Sequence, residues 1–170
     1  MTEELNLPCR YKVFRDSDSN TYYFQTDTGA SYEISFIDGS LIFDATPLAN
    51  LEISNIAIAK TRQGTGRRDI NIWETVQAIV SDFFKVTDRI LIYTCDSTDT
   101  KHYTRHRLFN SWFGKSNLKS EIIKLDADIK SQDGESMLTS MIYHSENSLG
   151  HNTITQTFEE VVLILQESKL

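Results

Sequence analysis

A run of apolar and β-branched residues, Glu52 to Ala59, passes through a cationic glycine loop into a segment whose apolar residues recur every three or four positions. This succession constrains the fold more than any other part of the chain, because a period of two gives way to a period near 3.6 within a dozen residues. Asp69 is read as the N-cap of a helix carrying Ile72, Trp73, Val76, Ile79, Val80, Phe83 and Phe84 on one face, which packs on the sheet. Arg89 to Thr94 is short, continuous and β-branched, the pattern of a strand covered on both sides. Asp99 or Ser97 caps a second helix, with apolar positions Tyr103, Leu108, Phe109, Trp112 and Phe113 and with Gly114 as its stop. Strand, helix, strand and helix in this order imply a parallel pair joined by a right-handed crossover.

Upstream, short runs separated by turn chemistry predict an antiparallel meander, with strands at Tyr11–Arg15, Thr21–Gln25, Ser31–Ile37, Leu41–Phe43 and Leu51–Ala59. Asp38-Gly39, between two apolar runs, carries a strong hairpin signal. Tyr22, Tyr23, Phe24, Tyr32 and Phe36 are read as packing on the sheet faces. Downstream, Leu118–Asp128 and Met137–His144 read as strands joined at Asp133-Gly134. Thr157-Phe158-Glu159-Glu160 matches a capping box for a terminal helix, although Val161 to Leu165 has the composition of a strand. The fold class is thus α+β with a mixed sheet: an N-terminal antiparallel meander, then strand-helix-strand-helix, then a C-terminal hairpin plus helix.

A chain of 170 residues, 39% of them hydrophobic, suits one domain spanning 1–170 with a sizeable core. Cys9 and Cys95 lack paired spacing, so no disulfide framework or zinc knuckle is implied, and a reducing cytoplasmic setting fits. No charged start leads into an apolar run and no segment approaches a membrane-spanning length, so neither a signal peptide nor a membrane partner is expected. A net charge of -7 argues against general nucleic-acid binding, which needs an extended cationic surface.

Against that acidic background, Lys60, Arg62, Arg67 and Arg68 surround Gly64 and Gly66. A glycine loop between a strand and a helix start lets backbone N–H groups converge on an anion, and guanidinium groups add charge-assisted bonds; the alternative is a solvated basic turn. Glu52 is a candidate general base for an amine, against the plainer reading of a strand-end glutamate in solvent. His102 and His106 stand four apart near Asp96 and Asp99, but Lys101, Arg105 and Arg107 would repel a cation, so no metal site is expected. Cys95 reads as a buried structural thiol.

The order of elements and the central residues resemble the GNAT acetyltransferases. Glu52-Ile53-Ser54-Asn55-Ile56-Ala57-Ile58 looks like that family's fourth strand, and Gln63-Gly64-Thr65-Gly66-Arg67-Arg68 falls on its pyrophosphate loop, with Gln63 and Gly66 at motif positions. Arg107-Leu108-Phe109-Asn110-Ser111-Trp112-Phe113 continues the family order. The resemblance covers residues 21 to 144 in topology and 52–68 and 105–114 in motif. Leu91 to Phe113 also resembles a group of short bacterial proteins of unknown function.

The GNAT resemblance implies acetyl-CoA or another acyl-CoA, with Gln63, Gly64, Thr65, Gly66, Arg67 and Arg68 on the pyrophosphate. The pantetheine arm would lie between strands 52–59 and 90–94. Arg68 departs from the family's small residue and either binds phosphate or obstructs it. Phe109 stands where many members carry a tyrosine that protonates the leaving thiolate, and that role would fall to Tyr103, to a water or to nothing. Two functions follow: an acyl-CoA-dependent N-acyltransferase acting on a small-molecule or protein amine, with Glu52 and Tyr103 as catalytic residues; or a non-catalytic GNAT-like binding or regulatory module, of the defence or toxin–antitoxin type, that has lost its cofactor.

Overall fold

The computed structural model describes residues 1–66, 69–95, 97–98 and 100–168. Among these residues the chain is α+β, with eight strands and three α-helices. Its contacts define two units, Met1–Ile37 with Asn55–Lys85, and Asp38–Ser54 with Val86–Leu170.

The first unit contains β1 (Thr2–Leu5), β2 (Val13–Asp16), β3 (Thr21–Gln25), all of β4 (Ser31–Asp38) but its last residue, most of β5 (Ile53–Arg62), and helix α1 (Ile70–Phe83). Its strand order is β1-β2-β3-β4-β5, antiparallel between β1 and β2, β2 and β3, and β3 and β4. The strand at Thr21–Gln25 has the predicted bounds, whereas β5 runs three residues past Ala59 and takes Lys60, Thr61 and Arg62 out of the expected loop. The N-terminal strand β1 was not foreseen; it is acidic and exposed, and it is held by pairing to β2.

Asp69 caps α1 as expected, its carboxylate accepting from the Asn71 amide at 2.9 Å. Val76, Ile79, Phe83 and Phe84 are buried, and Phe83 stacks on Phe36 of β4 at 4.6 Å, which fixes the helix to the sheet. Ile72, Trp73 and Val80 are only half-buried at the margin of that face.

The second unit holds the first two residues of β5, then β6 (Ile90–Cys95), α2 (His102–Lys115), β7 (Ile122–Lys130), β8 (Ser136–His144) and α3 (His151–Ser168), in strand order β5-β6-β8-β7. β8 is antiparallel to both neighbours, and the register places Tyr93, Ser140 and Asp126 side by side, with Ile92, Met141 and Leu125 in the adjacent row. Since successive side chains on a strand point to opposite faces, these rows lie on opposite sides. Ile92 and Met141 join Ile154, Phe158 and Val161 of α3 in one buried cluster, while Tyr93 stacks on Phe109 of α2 at 3.9 Å. The two helices thus cover opposite faces of β6-β8-β7. Gln166 of α3 reaches the outermost strand, its amide accepting from the Lys130 N–H at 2.9 Å and donating to the Lys130 carbonyl at 2.6 Å.

Several local expectations are corrected. Asp38-Gly39 does not turn a hairpin, and Leu41–Phe43 is not a strand: the Asp38 carboxylate accepts from Ser40 N–H at 2.9 Å and opens a 3₁₀ turn over Ser40–Phe43. Phe43 enters the core of the second unit while Leu41 and Ile42 stay exposed. Gly114 does not stop α2; the helix runs to Lys115, and Ser116 ends it with extended backbone and a hydroxyl accepting from Leu118 N–H. Ser97 does not cap α2, whose N-cap position is Lys101, with no side-chain capping bond to the helix; Asp99, like Asp96, lies outside the described residues. The predicted strand Leu118–Asp128 begins as a 3₁₀ turn and becomes β7 only at Ile122. Thr157 is no cap but a buried mid-helix residue donating to the Thr153 carbonyl, and Val161 to Leu165 is helical throughout. Asp133-Gly134 does form the β7–β8 turn, with Gly134 at φ +79° and donating to the Ser131 carbonyl.

Candidate functional site

The glycine loop lies at the end of β5 in the first unit, against the β3–β4 turn at Thr26 to Ala30. A Cβ on Gly64 would meet the Ala30 nitrogen at 2.7 Å, the Ala30 Cβ at 2.8 Å and the Thr28 hydroxyl at 2.9 Å, so glycine is required there for close packing between two turns. The Thr65 N–H donates to the Thr28 carbonyl at 3.0 Å, which removes that donor from any anion. Gly66 takes φ +115°, and a Cβ there would meet only the Thr28 methyl at an ordinary 3.5 Å, so its requirement is one of backbone instead of packing. Gln63 and Thr65 are exposed; Arg67 and Arg68 lie outside the described residues. Lys60 sits over the Tyr32 ring at 5.9 Å.

An anion already serves the N-terminus of α1. The Asp69 carboxylate accepts from Tyr11 Oη and from both nitrogens of Asn71, and these bonds, that from Tyr11 foremost, hold its pKa below the ordinary 3.8 although burial opposes them. Burial, with Asp69 alongside, pushes the Tyr11 phenol up from 10.0. The chain's own carboxylate thus sits at the positive end of the helix, and the Thr65 N–H is engaged by the Thr28 carbonyl.

The two proposed catalytic residues belong to the second unit and are not brought together. Glu52 precedes β5, accepts from Arg89 Nε at 2.8 Å, and through its carbonyl accepts from Ile90 N–H at the start of β6. Its side chain is 49% exposed, as the plainer reading expects. Tyr103 on α2 donates to Ser136, the first residue of β8, which lies past the Cys95 end of β6 in the antiparallel register. The length of β6 therefore separates them, roughly 16 Å at ~3.3 Å per residue. Phe109 is buried against Tyr93, whose phenol is pushed up by burial and by a bond with Cys95; Cys95 itself is buried.

A different constellation, missed in the sequence, lies under α2. Lys124 forms an ion pair with Asp126, and Ser140 donates to the same carboxylate at 2.6 Å. The Lys124 side chain is 6% exposed. Burial alone would raise the Asp126 pKa, but the bonds from Lys124 and Ser140 hold it below 3.8. Facing this row, His102 Nδ1, His106 Nδ1 and Asn110 Oδ1 are buried without a hydrogen-bond partner. They stand at intervals of four, on the face α2 turns to the sheet. Lys124, Asp126 and Asp128 alternate along β7 and so share a face, a signal that was available in the sequence. Among the described residues no group of three or more His, Cys, Asp or Glu is placed to hold a metal ion, and no helix is long and apolar enough to cross a membrane.

This layer is pH-sensitive. Burial, reinforced by Lys124 and opposed by Asp126 and Asp128, depresses the His106 pKa below its ordinary 6.5. The unfolded chain therefore binds more protons in the window between the depressed value and 6.5, and folding stability rises with pH across it. Urea midpoints measured between about pH 5.5 and about pH 7.5 should climb in the parent and flatten in His106→Asn. An equal slope in both proteins would exonerate His106.

Residues 68–160 match a family described as a family of unknown function (DUF6169). The matched segment leaves out the meander and all of the glycine loop but Arg68, and contains α1, β6, α2, β7, β8 and the first part of α3. No curated protein matches the sequence.

Proposed function

The chain belongs to this family of unknown function, and on its residues alone we propose that it is a non-catalytic GNAT-like binding or regulatory module. The observation that carries the reading is the closed N-terminus of α1, where the Asp69 carboxylate, held by Tyr11 and Asn71, takes the place an acyl-CoA pyrophosphate would need. The wide separation of Glu52 from Tyr103 supports it, since a base on the acceptor amine and an acid on the leaving thiolate must meet around one thioester carbonyl.

The second reading, an acyl-CoA-dependent N-acyltransferase with a small-molecule or protein amine as acceptor, draws support from Gly66. Its φ of +115° turns the backbone as an anion-binding nest does. In that reading Gln63 to Arg68 hold acetyl-CoA or another acyl-CoA.

Calorimetric titration of the protein with acetyl-CoA and CoA decides between them. The module reading expects no heat and no rise in melting temperature, because only a ligand that binds the folded state stabilises it. Saturable heat with a matching thermal shift would install the transferase reading instead.

A further inference from the structure

Two helices of the second unit each carry charge of a single sign. α2 holds Arg105, Arg107 and Lys115 with no carboxylate, and Lys119 follows it; α3 holds Glu159, Glu160 and Glu167 with no Lys or Arg. The helical period collects Thr104, Arg107, Leu108, Ser111 and Lys115 on the face of α2 turned away from the sheet, and all five are exposed. On α3 the exposed face carries Glu159, Glu160, Leu163, Ile164 and Glu167, with Leu163 62% and Ile164 63% exposed. Adjacent aliphatic side chains left in water within an acidic rim are the composition of a docking face. The cationic face has Leu108 as its own apolar centre.

These faces are complementary in charge, yet α2 and α3 cover opposite sides of β6-β8-β7, so neither reaches the other within one molecule. We propose that the cationic face of α2 in one copy docks on the acidic face of α3 in a second copy. The two patches point away from each other, so the contact is heterologous: each copy added presents a fresh α2 and a fresh α3, and assembly continues past the dimer unless a ring closes. A net charge of -7 favours this occupant over a long polyanion, which the rest of the surface would repel.

Sedimentation equilibrium of the full chain over a concentration series tests the proposal. At low ionic strength the average mass should rise beyond twice 19.5 kDa with concentration, and it should fall to 19.5 kDa in about 1 M salt, where the Debye length shrinks to about 3 Å. Arg107→Glu/Lys115→Glu and Glu159→Lys/Glu160→Lys should each remain at monomer mass, since each sets like charges face to face. An equimolar mixture of the two variants should associate again, because each supplies the face the other lacks. Lys and Glu are similar helix formers, so both variants should keep the parent's circular dichroism. A parent that stays monomeric at low salt, association indifferent to salt or to both reversals, or a mixture that stays monomeric would overturn the proposal. A monomeric parent that binds poly-glutamate would assign the α2 face to a foreign acidic partner instead.

Discussion

Replacing Asp126 by asparagine is expected to lower folding stability by about 3 kcal/mol, a fall in Tm of roughly 6–12 °C for a chain of this size. Asparagine keeps the shape and can still accept from Ser140, so the change isolates charge. It leaves the Lys124 ammonium, whose side chain is only 6% exposed, without its counter-ion. The figure sits at the bottom of the range for a broken buried pair, because half of the Asp126 side chain is in solvent and part of its contribution is screened. Removing both charges should restore most of the loss: Lys124→Met/Asp126→Asn is expected within about 1 kcal/mol of the parent, since the asparagine keeps an acceptor for Ser140 and no buried charge is left uncompensated. Urea denaturation of the parent, the single variant and the double variant gives the comparison. A single variant as stable as the parent would mean that water already compensates the lysine.

The second large effect falls at the glycine loop. Gly64→Ala should destabilise the chain by about 1–3 kcal/mol, because the new methyl meets backbone at Ala30 that cannot swing aside as a side-chain tip would. Gly66→Ala should cost a similar amount for a different reason, the strain of an L-residue at φ +115°. Thermal melts distinguish this pair of effects with a third variant, Thr28→Ala. Trimming Thr28 removes its hydroxyl near Gly64 and its one methyl near Gly66 but not the Ala30 backbone, so it should leave the Gly64→Ala loss largely intact. Full recovery in Thr28→Ala/Gly64→Ala would place the clash on the threonine and not on Ala30.

What the sequence made legible were the elements whose local chemistry and tertiary environment agree. Thr21–Gln25 alternates and is paired on both sides; α1 has its Asp69 cap and its buried stripe; Ile90, Leu91 and Ile92 sit in a strand covered on both faces. Failures came where one local signal serves two structures. Asp-Gly suits a hairpin, but the same carboxylate bonds to Ser40 N–H, and the outcome was decided by Gly39 N–H donating to the Ile53 carbonyl while Phe43 entered the core. The Thr157 capping pattern is mimicked inside a continuing helix, and the period Ile154, Phe158, Val161 was the better guide. At the site, the K-x-D-x-D alternation of β7 places Lys124, Asp126 and Asp128 on one face, a signal present in the sequence but missed there. That α2 closes over this face with His102, His106 and Asn110 is a product of non-local packing, which no local pattern encodes.

The two bonds between Gln166 and Lys130 bear on how this fold avoids indiscriminate aggregation. An outermost strand of nine residues without proline is a template onto which any extended peptide can be added, by the route that builds amyloid as well as strand-addition complexes. By meeting both the N–H and the carbonyl of Lys130, the Gln166 amide imitates one rung of a further strand and occupies the end of the ladder with a group that cannot propagate. An incoming strand would have to displace the last turns of α3 before zipping along β7. The stability of that helix terminus thereby becomes a kinetic guard on the sheet edge.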